Sequence, residues 1–282
     1  FPYTTLFRSF SASFGLPKVL WLARHEPARL DAAAHVCHPA DFLVGRLTGR
    51  YDTTDSANVL KTGYDILEGR WPPFVAGALG LPVAKLPRVV RPGEVLGPVL
   101  PAVAERLGLS PASTVVAGAT DGTAGFLASG ACRVGQWCST LGTTLVLRGV
   151  SRELLRDPRG RVYSHAHPEG YWLPGAASNV GGECLEVRFQ GRDLAALDAQ
   201  VASHLPNDLL LYPLVRRGER FPFVDPQAEG FLRGTPASEA ELYAAHLEAI
   251  GFVERWGMEL MAELGAPVAD PLFASGGATA SD

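Results

Sequence analysis

The stretch that most constrains this chain is the branched apolar run Val115-Val116-Ala117, thinned at Gly118-Ala119 and closed by Thr120-Asp121-Gly122. It predicts a buried strand over 115–119 that turns into a helix over 122–129. Such a turn sets a carboxylate at the carboxyl end of a strand, where open α/β sheets place their ligand crevices. Further along, Ser139-Thr140-Leu141-Gly142-Thr143-Thr144 predicts paired strands over 137–141 and 144–150 around a Gly142 turn. A glycine there lets backbone N–H groups come close to a phosphate. One carboxylate facing a Gly/Thr phosphate loop is the outline of a phosphotransferase. Taken singly, Asp121 reads equally well as a helix cap, and Gly142 as an ordinary hairpin turn beside strand threonines.

The remaining segments alternate between the two periodicities, which favours α/β construction over a helical bundle. Helices are expected at 16–22, where Pro17 is tolerated in the first turn, and at 39–47, with Gly49 as the stop. Thr53, Thr54, Asp55 and Ser56 offer caps for a short helix through 58–60. After Trp71-Pro72-Pro73 a small helix is expected at 74–79 and a strand at 86–90. Turns follow at Gly93 and Gly97, then a helix at 101–107. Tyr163-Ser164-His165 and Tyr171-Trp172-Leu173 flank a hairpin connection at 168–170. A helix is expected at 183–189, and a proline-marked polar loop at 216–222. The longest helical pattern covers 238–264, although Gly251 and Gly257 argue against one unbroken rod, since a mid-helix glycine costs about 1 kcal/mol relative to alanine. A strand at 271–274 leads to the Gly276-Gly277 turn. The change of character at 130–135 predicts a domain boundary, dividing the chain into 10–132 and 133–282.

Composition narrows the function classes. The 282 residues suffice for one large domain or two moderate ones, and 47% are hydrophobic. Lys+Arg 25 against Asp+Glu 29 leaves a formal charge of -4, so no nucleic-acid or anionic-membrane surface is expected. Cys37, Cys132, Cys138 and Cys184 are scattered and read as thiols of a reducing, cytoplasmic compartment. His165 and His167 would share one face of a strand, but no third metal ligand accompanies them. Arg216, Arg217 and Arg220 form a positive cluster interrupted by Glu219, read as a solvated, ion-paired loop. No run has the length and apolarity of a membrane span. Neither a complete Walker loop nor Gly-x-Gly-x-x-Gly occurs in the sequence, which weakens P-loop and Rossmann readings.

Several dispersed segments, in order, resemble the FGGY family of carbohydrate kinases. They are Pro17-Lys-Val-Leu-Trp-Leu22, Asp41-Phe-Leu-Val-Gly-Arg-Leu-Thr-Gly49, Gly118-Ala-Thr-Asp121, Leu141-Gly-Thr-Thr144 and Ser275-Gly-Gly277. The resemblance implies the two-domain α/β architecture of actin-like ATPases (ribonuclease H-like), with both domains incomplete here. Asn58-Val-Leu-Lys61-Thr-Gly-Tyr64, Tyr163-Ser-His165, Tyr171-Trp-Leu-Pro-Gly-Ala-Ala-Ser-Asn179 and Arg217-Gly-Glu-Arg220-Phe-Pro222 are most similar to its D-ribulokinase, or xylulokinase-like, group. Phe1-Pro-Tyr-Thr-Thr-Leu-Phe-Arg-Ser9 resembles the translation of a sequencing-library adapter and is set aside from the fold. The glycine turn at 276–277 ought to feed a helix that does not follow. Both ends therefore predict a fragment, inactive by itself for want of the family's first phosphate loop.

What the resemblance implies for individual residues is specific. Asp121 matches the catalytic aspartate, the base that orients a sugar hydroxyl and accepts its proton, and could meet magnesium through water. Gly142, Thr143 and Thr144 match the second domain's phosphate loop, holding phosphate oxygens of ATP. Gly276 and Gly277 match the turn beside the nucleoside, with a plain turn as the alternative. Lys61 and Asn179 are candidate sugar contacts, each balanced by a structural role. Ser178, Asn179, Gly181 and Gly182 resemble a fold junction of the family. The implied cofactors are ATP and Mg2+, and the implied partner is a pentulose, D-ribulose before D-xylulose or another sugar or polyol. A homo-oligomer is possible, and a noncatalytic binding module is the rival class.

Overall fold

The computed structural model describes residues 12, 14–269 and 271–277. The adapter-like segment 1–9 lies outside them. The chain divides into two compact units. One runs to Ala124 and takes in Pro168–Gly170, and the other comprises Gly125–His167 and the chain from Tyr171 onward.

The first unit contains α1 (Gly15–His25), α2 (Pro27–Ala32), α3 (Pro39–Thr48), β1 (Thr53–Asp55), α4 (Pro73–Ala76), β2 (Arg88–Val90), β3 (Val95–Pro98), α5 (Pro101–Leu107) and β4 (Thr114–Val116). Helix α1 buries Leu16 and Val19 against Val75, Leu81 and Leu86. Helix α3 is tied at its start by Asp41, whose Oδ2 accepts from both the His38 N–H and its Nδ1 at 2.8 Å. With the proton on Nδ1, Nε2 is left to accept the Thr62 hydroxyl at 2.8 Å. Gly49 ends α3 at φ 80°, a left-handed conformation that a side chain would resist.

Three expectations in this unit need correction. Thr53 and Thr54 are not caps: both are buried in β1, which runs parallel to β2 in the register Thr53↔Arg88. Their branched Cβ atoms suit a pleated strand, and Asp55 closes the turn ahead of the short helix at 59–62 without capping it, accepting the Ala57 and Asn58 N–H groups at 2.9 Å. Gly97 is not a turn residue but sits inside β3 at a register shift, opposite Val115. Strand β4 is shorter than 115–119 and only half buried. It pairs antiparallel with β3, and Val116 is 49% exposed because alternate residues of a strand point to opposite faces.

Helix α6 (Asp121–Ala128) begins at the end of the first unit and continues into the second. There follow β5 (Trp137–Leu141), β6 (Leu145–Gly149), β7 (Tyr163–Ala166), β8 (Trp172–Ala177), α7 (Glu183–Arg188), α8 (Leu194–Asp198), β9 (Leu210–Tyr212), β10 (Phe231–Arg233), α9 (Glu239–Glu263) and β11 (Leu272–Ser275). Among the described residues β11-β5-β6-β8-β7 form one sheet, with β11 parallel to β5 and the other pairs antiparallel. Alternation sorts its side chains onto two faces. Trp137, Leu145 and Leu147 pack with Val253, Leu260 and Met261 of α9. Cys138 and Leu173 pack with Phe126 of α6.

The long helix is unbroken, contrary to what its glycines suggested. A Cβ on Gly257 would lie 2.6 Å from Phe221 Cε1 and 2.8 Å from Leu147 Cδ1, so its absence lets α9 lie close on the sheet. Packing of the apolar face outweighs the propensity cost of two glycines. The cysteines are free thiols, as expected. No helix among the described residues is long and apolar enough to cross a membrane.

Candidate functional site

Asp121 is the first residue of α6, not the residue before it. The Thr120 carbonyl accepts the Thr123 and Ala124 N–H groups at 3.0 and 2.9 Å, which makes Thr120 the flanking position. The Asp121 side chain is exposed, and its Oδ1 accepts the Gly122 N–H at 2.7 Å. Asp121 thus stands at the positive end of an eight-residue helix.

In the second unit, Gly142, Thr143 and Thr144 form the tip joining β5 to β6, with Gly142 and Thr143 exposed. The N–H of Gly142 donates to the Thr144 carbonyl at 3.2 Å, so this amide serves the turn and the expected approach to phosphate narrows to its neighbours. Gly181 and Gly182 press on the tip from behind. A Cβ on Gly181 would stand 2.4 Å from Thr144 Cα and 2.5 Å from the Thr143 oxygen. Gly182 donates its N–H to the Gly142 carbonyl at 2.7 Å, and Glu183 donates to that of Thr143 at 3.3 Å. The junction glycines therefore exist because two backbones meet there.

Gly276 joins the same end of the sheet. Strands β5 and β11 run parallel with Ser275 opposite Thr140, and their hydroxyls are 2.7 Å apart. At φ 99° a Cβ on Gly276 would meet the Leu141 oxygen at 2.4 Å. Gly277 follows, exposed, and a Cβ there would meet nothing within 4 Å. The two glycine-bearing loops thus leave the sheet side by side, although far apart in sequence.

The two candidate sugar contacts are engaged within their own units. Lys61 is exposed at the end of a short turn, and its Nζ stands 5.5 Å from the Phe14 ring centroid. Asn179 donates from Nδ2 to the Gly218 carbonyl at 2.9 Å. Two arginines of the cluster are ion-paired, Arg216 with Glu183 and Arg217 with Glu229. Glu219, read only as an interruption of that cluster, is 3% exposed and gathers several hydrogen bonds. Its one legible signal was to be the lone acid of Arg216-Arg-Gly-Glu-Arg-Phe-Pro222. Burial, then the Glu219 charge, pushes the Tyr212 phenol well above its ordinary range.

The outer side of the loop at Gly142 is open to a group the size of a phosphate: an added Cβ on Gly142 would meet nothing within 4 Å and Thr143 is exposed. Magnesium in phosphoryl-transfer sites keeps several waters and leans on substrate phosphates, so a carboxylate such as Asp121 would hold it through water. No cluster of three or more His, Cys, Asp or Glu suited to a metal occurs among the described residues.

Models of the N-terminal and C-terminal domains of the FGGY family of carbohydrate kinases match residues 4–128 and 138–282. A xylulose kinase of Streptomyces coelicolor is 33% identical over 270 residues, covering 95% of this chain and 54% of its own. One from Klebsiella pneumoniae is 31% identical over 257 residues, covering 88% and 53%. The crystal structure of xylulose kinase from Rhodospirillum rubrum superposes with a TM-score of 0.81 at 28% identity, over 96% of this chain and 56% of that one. The chain spans about half the length of the curated relatives it matches.

Proposed function

The chain belongs to the FGGY family of carbohydrate kinases, and from that premise we propose that it serves an ATP-dependent sugar kinase acting on a ketopentose, D-xylulose first. The observation that carries this reading is the Gly142–Thr144 tip, open on its outer side and braced behind by Gly181 and Gly182. In the proposed reaction the sugar hydroxyl oxygen forms a bond to the γ-phosphorus as the bond to the β–γ bridging oxygen breaks. Asp121 orients that hydroxyl and takes its proton. The Thr143 and Thr144 N–H and hydroxyl groups hold phosphate oxygens, and the bare backbone at Gly276-Gly277 leaves room for the nucleoside. Magnesium, when bound, neutralises phosphate charge. Lys61 and Asn179 would need to leave their present partners to reach a sugar, so they rank below Asp121 as substrate contacts.

D-Xylulose takes precedence over the D-ribulose expected from the subgroup segments because the relatives named above at 31 and 33% identity are xylulose kinases. D-Ribulose stays as the second reading on the strength of Asn58-Val-Leu-Lys61 and Arg217-Gly-Glu-Arg220. A coupled ADP-release assay across D-xylulose, D-ribulose, D-gluconate and glycerol, run on the longest reading frame containing this chain, tests both. Preferential turnover of D-xylulose is expected. A stronger response to D-ribulose would reverse the order, and no response to any sugar despite nucleotide binding would favour a noncatalytic module.

A further inference from the structure

We infer that Glu219 is a positioning residue for the Gly142–Thr144 tip, an inference that deepens the kinase reading and rests on it for its nucleotide consequence. The buried carboxylate meets five neutral donors. Oε2 accepts the Ser178 and Tyr212 hydroxyls, each at 2.8 Å. Oε1 accepts the N–H groups of Asn179 and Arg220 at 2.8 Å and of Phe221 at 3.4 Å. A carboxylate is acceptor-only at both oxygens, which suits a ring of donors that an amide could match on one side only. Such charge-assisted bonds are the stronger kind, and leaving them unmade inside the protein is costly.

The bonds run in one direction through the fold. The backbone of Glu219 is closed on Asp225 by reciprocal N–H bonds of 2.8 and 3.0 Å, so the carboxylate projects from a fixed loop. It holds Ser178 and Asn179, and the Ser178 hydroxyl in turn accepts the Val180 N–H at 2.9 Å. Leu145, the first residue of β6, exchanges bonds with this segment, donating to Val180 at 2.7 Å and accepting from Ser178 at 2.9 Å. Gly181 and Gly182 come next and abut Thr143, Thr144 and Gly142. A single residue, Val180, thus separates the carboxylate's grip on Ser178-Asn179 from the Gly181-Gly182 brace of the tip, and it is itself hydrogen-bonded at both ends. Displacing Ser178-Asn179 moves the surface on which the tip rests.

The test uses Glu219→Gln, with Ser178→Ala and Tyr212→Phe as milder variants that each remove one donor, and Arg217→Ala as a control on the exposed side of the same loop. Two readouts are taken: hydrogen exchange at the Gly182 and Glu183 amides, and affinity for Mg-ATP. Exchange at those two amides is expected to rise about tenfold in E219Q, less in S178A and Y212F, while α9 amides stay protected. Mg-ATP affinity should fall by a similar factor, and the control should match wild type. Exchange at Gly182 and Glu183 unchanged in all three variants overturns the positioning role, as does a rise spread evenly through α9, which would mark a merely structural residue. Wild-type protein that binds no Mg-ATP but shows the local exchange response keeps the positioning role and removes the nucleotide reading instead.

Discussion

The carbonyl oxygen of Gly142 accepts the N–H of Gly182 at 2.7 Å, so a hairpin tip and the start of a helix, separated by three strands, share one backbone junction. On the Gly181-Gly182 side of this junction there is no space for a side chain. In Gly181→Ala the new Cβ would stand 2.4 Å from Thr144 Cα, against backbone that cannot rotate away. A stability loss of about 1–3 kcal/mol is expected from overpacking, read by urea denaturation, with at least tenfold weaker Mg-ATP binding by titration. Undiminished affinity in the folded variant would take the tip out of the nucleotide site.

Asp121→Asn keeps the shape at the start of α6 and removes the proposed proton acceptor. Turnover by the longest reading frame should drop by about 10²–10⁴. Affinity for Mg-ATP should change little, since the phosphate contacts are assigned to the other unit. Stability should stay near wild type, because the side chain is exposed. A variant that retains full turnover would show that the proton goes elsewhere.

The two glycines of α9 should respond in opposite ways. Gly251→Ala adds a methyl where nothing lies within 4 Å, and should stabilise the protein by up to about 1 kcal/mol. Gly257→Ala drives a methyl against Phe221 and Leu147 and should destabilise by about 1–3 kcal/mol despite the same propensity gain. Thermal unfolding of the pair gives the comparison directly. Equal shifts in one direction would mean that propensity, not fit to the sheet, decides at both sites.

Asp157 and Arg161 form a two-pronged ion pair, Nε to Oδ2 at 2.9 Å and one terminal nitrogen to Oδ1 at 3.0 Å, with the carboxylate buried. Burial works against the Asp157 charge, but the Arg161 side chain and the N–H groups of Arg161 and Arg159 outweigh it, holding the carboxyl below its ordinary 3.8. A carboxyl so lowered contributes stability above the unfolded value, and that stability is lost as pH falls from about 3.8 through the folded value. Asp157→Ala should cost about 3 kcal/mol at neutral pH, since it strands a largely buried guanidinium. Its denaturation midpoint should also depend less on pH in the acid range than that of the wild type. Parallel acid profiles would place the acid sensitivity in other groups.

Elements set by their own residues were legible from the chain. Helix α5 begins at Pro101 and ends at Leu107, as its pattern predicts, because proline preorganises the first turn and Gly108 closes the last. The β5–β6 and β7–β8 hairpins were equally plain, marked by branched and aromatic runs on either side of a turn. Thr53 and Thr54 misled because a hydroxyl beside a short helical pattern looks like a cap, whereas the partner that makes them a strand is β2. Glu219 misled because its five donors come from distant stretches as well as its own loop.

The sequence by itself determined the α/β alternation, Asp121 at a helix start and Gly142 at a hairpin tip, which rest on short-range periodicity and turn chemistry, while the family was carried by the order of its dispersed motifs. Only the tertiary structure decided why Gly181, Gly182 and Gly257 lack side chains, and which charge lies buried. Those outcomes depend on surfaces that meet after the chain has folded. Steric exclusion and the desolvation of a carboxylate act between neighbours in space, and no local pattern encodes who those neighbours will be.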